Sequence, residues 1–184
     1  YVVTEKGHAQ RVYQSILRRS RAAADIVRRG FLTCLPEKES HLYALIKKLY
    51  DEGPAFLRNT ADPVYYPVAR ALRHMNGELE KLRGFVRFSD YSGVLGAGIE
   101  PKNRVLPLLR RHFCDRYANE AFFLYDRTHK ELLVYADHHS RLLNVDSLQL
   151  ALPSEEEVSF RRLWKRFYET VAIKERYNPR CQNT

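Results

Sequence analysis

Between Gly93 and Glu100 the chain alternates side chains with their absence. Leu95, Ala97 and Ile99 fall on one side of a strand, and Val94, Gly96, Gly98 and Glu100 on the other. One face is ordinary core material. The other is stripped, so something must approach the backbone closely there. A helix packed tightly across the sheet is the expected neighbour, and a bound ligand is the alternative. At Glu100-Pro101 this strand feeds a basic amphipathic helix to about Tyr117, with Val105, Leu108, Leu109 and Phe113 on its apolar side. Pro107 inside that pattern bends the helix or delays its start.

Upstream the period is helical. Residues 5–19 place Ala9, Val12, Tyr13, Ile16 and Leu17 on one side. Ser20 caps a second helix that stops at Gly30. A third runs from Pro36 to Gly53 with the stripe Leu42, Leu45, Ile46 and Leu49. Asp62-Pro63 opens a fourth, in which Pro67 kinks the first turn and Val68, Leu72, Met75, Leu79 and Leu82 recur down to Gly84.

After Gly84 the period changes. Residues 85–88 read as a short strand, Ala121–Asp126 and Glu131–Asp137 as a hairpin across Arg127–Lys130, and Arg141–Val145 as an edge strand. The run Phe122–Tyr125 is apolar on both parities, which places it centrally with both faces covered. Ser154 and Glu157 form a capping box for a last helix with the stripe Phe160, Leu163, Trp164, Phe167 and Val171. The expected fold class is α+β: a small, mainly antiparallel sheet across about residues 85–145, packed with N-terminal helices and a C-terminal helix. The expected organisation is a single domain, with a helical part over 1–83 and an α+β part over 84–184.

With 45% hydrophobic and 29% charged residues, wholesale disorder is excluded. No apolar run approaches the roughly 20 residues that span a bilayer, so no membrane partner is expected. Cys34, Cys114 and Cys181 are far apart and odd in number, which argues against a disulfide framework or a cysteine zinc site and for a reducing cytoplasm. The net charge of +9 points to a polyanion. It is uneven: residues 1–60 carry 11 basic and 6 acidic side chains, and residues 82–116 carry 7 and 3.

Three blocks carry a family resemblance: 82–88 (Leu-Arg-Gly-Phe-Val-Arg-Phe), Ile99 to Tyr117, and Phe160 to Arg180. The chain resembles a bacterial family that carries a DNA-metabolism label and no assigned catalytic residue. Its members are typically encoded beside a radical-SAM protein of DNA modification or repair, and a similar domain occurs fused to uracil-DNA-glycosylase-like domains. The family's usual opening, with Asp-Gly-Ser/Thr-Phe-Glu-Gly, and its Met-Pro-Lys-Arg-Tyr-Trp block are not in this sequence. The resemblance implies DNA, and a radical-SAM or uracil-DNA-glycosylase-like protein, as partners.

Basic clusters are the strongest binding candidates. Arg18, Arg19, Arg21, Arg28 and Arg29 gather around the first two helices. Arg87, then Lys102, Asn103, Arg104, Arg110 and Arg111 on the central helix, and Arg161, Arg162, Lys165 and Arg166 on the last helix, form the candidate nucleic-acid-binding set. The competing reading is a solvated face whose charges pair within their own helix, as Glu157 with Arg161 could.

Catalytic candidates are Glu100, Asp126 and His112, with stacking from Tyr125 or Tyr91. For Glu100 the competing role is to cap exposed amides at the start of the central helix. Glycine spacing does not complete a dinucleotide fingerprint, because Pro101 interrupts it. The histidines lack metal spacing, so neither metal nor cofactor is expected. The basic surface together with the resemblance implies an accessory nucleic-acid-binding protein in DNA repair or modification. A nuclease- or glycosylase-type enzyme using Glu100 or Asp126, and a protein-interaction partner of a radical-SAM enzyme, are the alternatives.

Overall fold

Ser20 divides the first two helices, α1 (His8–Arg19) and α2 (Arg21–Gly30), and its hydroxyl accepts the Ala23 amide at 3.1 Å. That is the cap expected from its residue type. The computed structural model describes residues 7–91, 93–146 and 148. The helix expected after Ser154, with its arginines and lysine, lies outside them. α3 (Lys38–Glu52) starts two residues later than Pro36, because Glu37 adopts a left-handed conformation (φ 48°). Gly53, at φ 76°, stops it in a conformation that favours glycine. A 3-10 turn (Pro54–Arg58) follows, then α4 (Tyr66–Phe85), with Pro67 in the first turn where no N–H is required.

The chain forms two compact units. One comprises residues 7–78 with Lys102–Arg104; the other comprises residues 79–101 and 105 onward. In the first, Ile16, Ala23, Ala24, Val27, Leu42, Leu45, Leu49, Val68, Leu72 and Met75 from the four helices are buried, with Phe56 from the 3-10 turn. Gly30 lets Leu42 pack closely: a Cβ would lie 2.6 Å from Leu42 Cδ2 and force that buried side chain to shift.

Asp62 binds the turn before α4. Its Oδ1 accepts the Val64 and Tyr65 amides at 3.0 and 3.2 Å, and its Oδ2 accepts from Lys48 Nζ at 2.7 Å. The Lys48 hydrogen bond holds the Asp62 carboxyl below its usual range, against the opposing effect of burial. The same bond raises Lys48, again against burial, with the charges of Asp62 and Glu52 adding to it. A depressed carboxyl contributes stability above its unfolded pKa of 3.8 and loses it as pH falls through the lower folded value. A raised lysine contributes stability below 10.5 and loses it as pH rises through the higher folded value. The pair's contribution is therefore flat across neutral pH and falls at both extremes. In Lys48→Met the alkaline loss due to this pair should vanish and the acid loss should shrink to what the two amides sustain. Melting temperatures from pH 2 to 11 test this, and unchanged limbs would refute it.

Among the described residues the second unit holds five strands: β1 (Ser89–Asp90), β2 (Leu95–Ile99), β3 (Phe122–Asp126), β4 (Glu131–Ala136) and β5 (His139–Asn144), with α5 (Leu106–Arg116) between β2 and β3. Their spatial order is β1-β2-β3-β4-β5. Only β2 and β3 are parallel, joined by the α5 crossover. The architecture is α+β with a mainly antiparallel sheet. β3 is the middle strand, and Phe122, Leu124, Tyr125 and Asp126 are buried on it, as its two-sided apolar run requires.

One strand is misplaced by the sequence reading. α4 continues through Phe85, Val86 N–H donates to Leu82 O, and residues 86–88 make no sheet. The apolar residue that suggested a strand, Phe88, instead sets its ring edge against Phe113, Tyr117 and Phe122 at 5.4, 4.9 and 5.7 Å. This aromatic cluster covers one face of the sheet beneath α5.

Candidate nucleic-acid interface

Among the described residues, the excess positive charge belongs to the first unit. Residues 7–78 carry 12 basic and 7 acidic side chains, to which Lys102 and Arg104 add two more cations. Residues 79–101 and 105–148 carry 9 of each sign. Arg18 and Arg19 end α1, and Arg21 opens α2 across Ser20, so three guanidinium groups leave one corner of the chain. Arg19 lies 4.2 Å over the Tyr50 ring, whose hydroxyl donates to Ser15 Oγ at 2.6 Å. Among the described residues, Arg18 and Arg21 make no ion pair, and both are exposed. Further along α2 the charges are partly quenched: Asp25 pairs with Arg28 at 2.9 Å and with Arg29 at 3.7 Å, and Arg29 also bonds Asn76.

Lys102, Asn103 and Arg104 are not on the central helix. α5 begins at Leu106, with Pro107 in its first two positions, where the missing N–H costs nothing. The three preceding residues fold with the first unit instead. Glu78, on α4, accepts the Lys102 amide at 2.8 Å and the Asn103 amide at 2.9 Å. Arg104 N–H donates to Leu32 O at 2.8 Å. Asn103 was expected at a nucleic-acid surface but is 1% exposed. Its Nδ2 donates to Glu78 Oε2 at 2.7 Å and lies 3.1 Å from His74 Nδ1, and its Oδ1 accepts the Cys34 amide at 2.9 Å. It is a buried joint between three segments. Lys102 and Arg104 are exposed.

This joint also corrects the role expected of Glu100. The amides after it are taken by Glu78, and Glu100 is exposed, accepting from Arg127 Nη1 at 3.1 Å. On α5 itself, Arg110 donates to Ser140 Oγ at 2.7 Å, and Arg111 pairs with Asp115 at 3.6 Å with both side chains well exposed. An exposed pair of that length contributes little, about 0–1 kcal/mol. Arg87 is exposed on the connection into β1. Arg161, Arg162, Lys165 and Arg166 lie outside the described residues.

Of the catalytic candidates, Asp126 is fully buried at the end of β3. Its Oδ1 accepts the Thr128 and His129 amides at 3.0 Å each, and its Oδ2 lies 2.7 Å from His129 Nδ1. It braces the Arg127–Lys130 turn, a local role for which aspartate is well suited. His112, on α5, sets its ring against Phe113 at 5.0 Å, and its Nε2 is buried without a hydrogen bond among the described residues. Tyr125 is 7% exposed and its hydroxyl donates to Val145 O at 3.3 Å, so it offers no ring for stacking. Sequence reasoning missed Glu78, His74 and His129. Glu78 sits 24 residues from the amide it caps, beyond any local pattern.

Among the described residues, the atoms nearest the glycine face of β2 belong to side chains. A Cβ at Gly96 would fall 2.1 Å from Phe123 Cζ and 2.7 Å from Tyr91 Cδ2; one at Gly98 would fall 3.2 Å from Arg127 Nε. Phe123 of β3 and, from the flanking turns, Tyr91 and Arg127 occupy the spaces that the glycines leave.

Among the described residues no helix is long and apolar enough to cross a membrane, and no three His, Cys, Asp or Glu side chains are grouped to hold a metal ion. Neither the curated proteins nor the solved structures contain a match to the chain. A family profile described as a domain of unknown function, DUF4130, matches residues 36–184, from before α3 through the sheet and beyond. That match covers most of the sequence, and the chain belongs to the DUF4130 family.

Proposed function

We propose that the protein is an accessory nucleic-acid-binding protein of DNA repair or modification, supplying affinity for the polyanion to a radical-SAM or uracil-DNA-glycosylase-like partner. The observation that carries this reading is the concentration of cations in the helical unit, with Arg18 and Arg21 exposed and free of ion pairs among the described residues beside Arg19 at the α1–α2 corner. The carboxylates argue for binding over chemistry. Both Asp126 oxygens are engaged within their own turn, and Glu100 is paired with Arg127. The DNA-metabolism resemblance of the chain supplies the biological direction.

Counterion release gives the test. If about five side chains meet phosphates, the log–log slope of affinity against salt is about −4.5, and a fourfold rise in salt weakens binding roughly 500-fold. Arg18→Glu with Arg21→Glu removes two of those contacts and should flatten the slope to about −2.7 while weakening duplex DNA binding at every salt concentration. Fluorescence anisotropy with a labelled duplex at 50 and 200 mM salt reads both. A double variant that binds as the parent does would refute the assigned surface.

A further inference from the structure

Val68, Leu72 and Met75 lie along one side of α4 and are buried. On the opposite side, Arg70, Arg73, His74 and Gly77 follow one another at three and four residues, the spacing that gathers side chains on one helical face. All four are exposed. Arg70 and Arg73 make no ion pair among the described residues. The carboxylate that follows Gly77 in the chain, that of Glu78, is engaged by the Lys102 and Asn103 amides and by Asn103 Nδ2.

Gly77 has no evident use inside the fold. A Cβ there would meet nothing within 4 Å, and the residue is not among the glycines with positive φ. Neither packing nor backbone conformation asks for glycine, which is a poorer helix residue than alanine. On an exposed face, however, a missing side chain lets another molecule come up against the helix backbone.

The Asn103 joint settles which hydrogen His74 carries. Asn103 Oδ1 accepts the Cys34 amide at 2.9 Å, so its amino group faces both Glu78 Oε2 and His74 Nδ1. Nδ1 is then an acceptor, and the neutral ring carries its proton on Nε2. The α4 face thus offers two guanidinium groups and an imidazole N–H, all of them donors, beside a gap. A group that only accepts hydrogen bonds and carries negative charge complements it, and the phosphodiester is such a group.

We propose that the sugar–phosphate backbone of a nucleic acid lies directly on this face of α4, with phosphates on Arg70 and Arg73, His74 Nε2–H donating to a phosphate oxygen, and the strand seated against the helix backbone at Gly77. The inference rests on the nucleic-acid reading above and adds a second surface of the same helical unit to the α1–α2 corner.

The test uses a glycine whose replacement should help folding and harm binding. Gly77→Ala should melt above the parent, because alanine is the better helix residue and has room there. A lower melting temperature would make the glycine structural and overturn the close-approach argument. Gly77→Leu removes no charge, so by anisotropy with a labelled duplex it should weaken binding about tenfold at 50 mM salt, equivalent to one lost hydrogen bond to a charged group, with the parent's salt slope. Arg70→Gln with Arg73→Gln should instead flatten that slope by about 1.8. Circular dichroism checks that each variant is folded, and the arginine pair decides the matter if Gly77→Leu is not. Parent-like duplex binding by either folded variant overturns the α4 surface, leaves that face to a protein partner and leaves the corner reading intact. Failure of the parent to bind duplex at 50 mM salt overturns both.

Discussion

Phe122→Ala should destabilise the α+β unit by about 3–5 kcal/mol, the usual result of deleting a buried ring. Phe122 is 1% exposed and starts the middle strand. Its ring meets Phe88 edge-on at 5.7 Å, Tyr135 stacked at 5.1 Å and Tyr117 at 6.0 Å. Each such pair adds roughly 0.5–1.5 kcal/mol beyond the area it buries. The cavity left by alanine would be lined by other rings, which are too rigid to collapse into it. Phe122→Leu keeps most of the volume, so its loss should be smaller, about 1–2 kcal/mol. Denaturant titration followed by hydrogen exchange in β3 and β4 reads the effect on this unit. A change under about 1 kcal/mol in the alanine variant would show that the cluster is not the core of the sheet.

Asn103→Asp is the second large effect, about 2–4 kcal/mol at neutral pH in the helical unit. Asn103 is the only member of its joint that both donates to Glu78 and accepts from the Cys34 amide. Aspartate keeps the acceptor and replaces the donor with an oxygen facing the Glu78 carboxylate. Two carboxylates in contact cannot both stay ionised, so one of them acquires a raised pKa in the folded state. A raised carboxyl means that the folded protein binds the extra proton, and the lost stability returns as pH falls through that value. Asn103→Ala removes the same hydrogen bonds without adding a charge, so it should cost a similar amount with no recovery in acid. Melting curves of both variants at pH 7.5 and 5 separate the cases. Identical pH profiles would mean that Glu78 does not face position 103.

Local chemistry was legible where partners are near in sequence. Ser20 caps three residues ahead, the β3–β4 turn joins strands that pair at once, and the stripes read on the third and fourth helices are buried save Ile46. Ala9 and Val12 of the first stripe are exposed, however, and Ala23, Ala24, Val27 and Phe56 were not read as core. Phe85–Phe88 misled because a short apolar run looks the same whether it forms a strand or one ring reaches a distant cluster. The charge pattern misled by proximity. Lys102 and Arg104 are close to α5 in the chain but fold with the other unit.

The candidate surfaces divide the same way. The arginines of the α1–α2 corner could be read from spacing, because consecutive helices around a one-residue cap keep them together. The packing of Phe123, Tyr91 and Arg127 around the β2 glycines could not, because it depends on which strand lies beside Gly96 and Gly98. By itself, the sequence determined the helices before Gly84, the hairpin, the two-sided middle strand and the excess of positive charge, since periodicity, caps and composition act over a few residues. Only the tertiary structure decided which carboxylate binds the amides after Pro101, which side chains fill the glycine row and which unit holds the cations. Those outcomes depend on pairings between residues far apart in the chain, where many partners have the right chemistry and only chain geometry selects one.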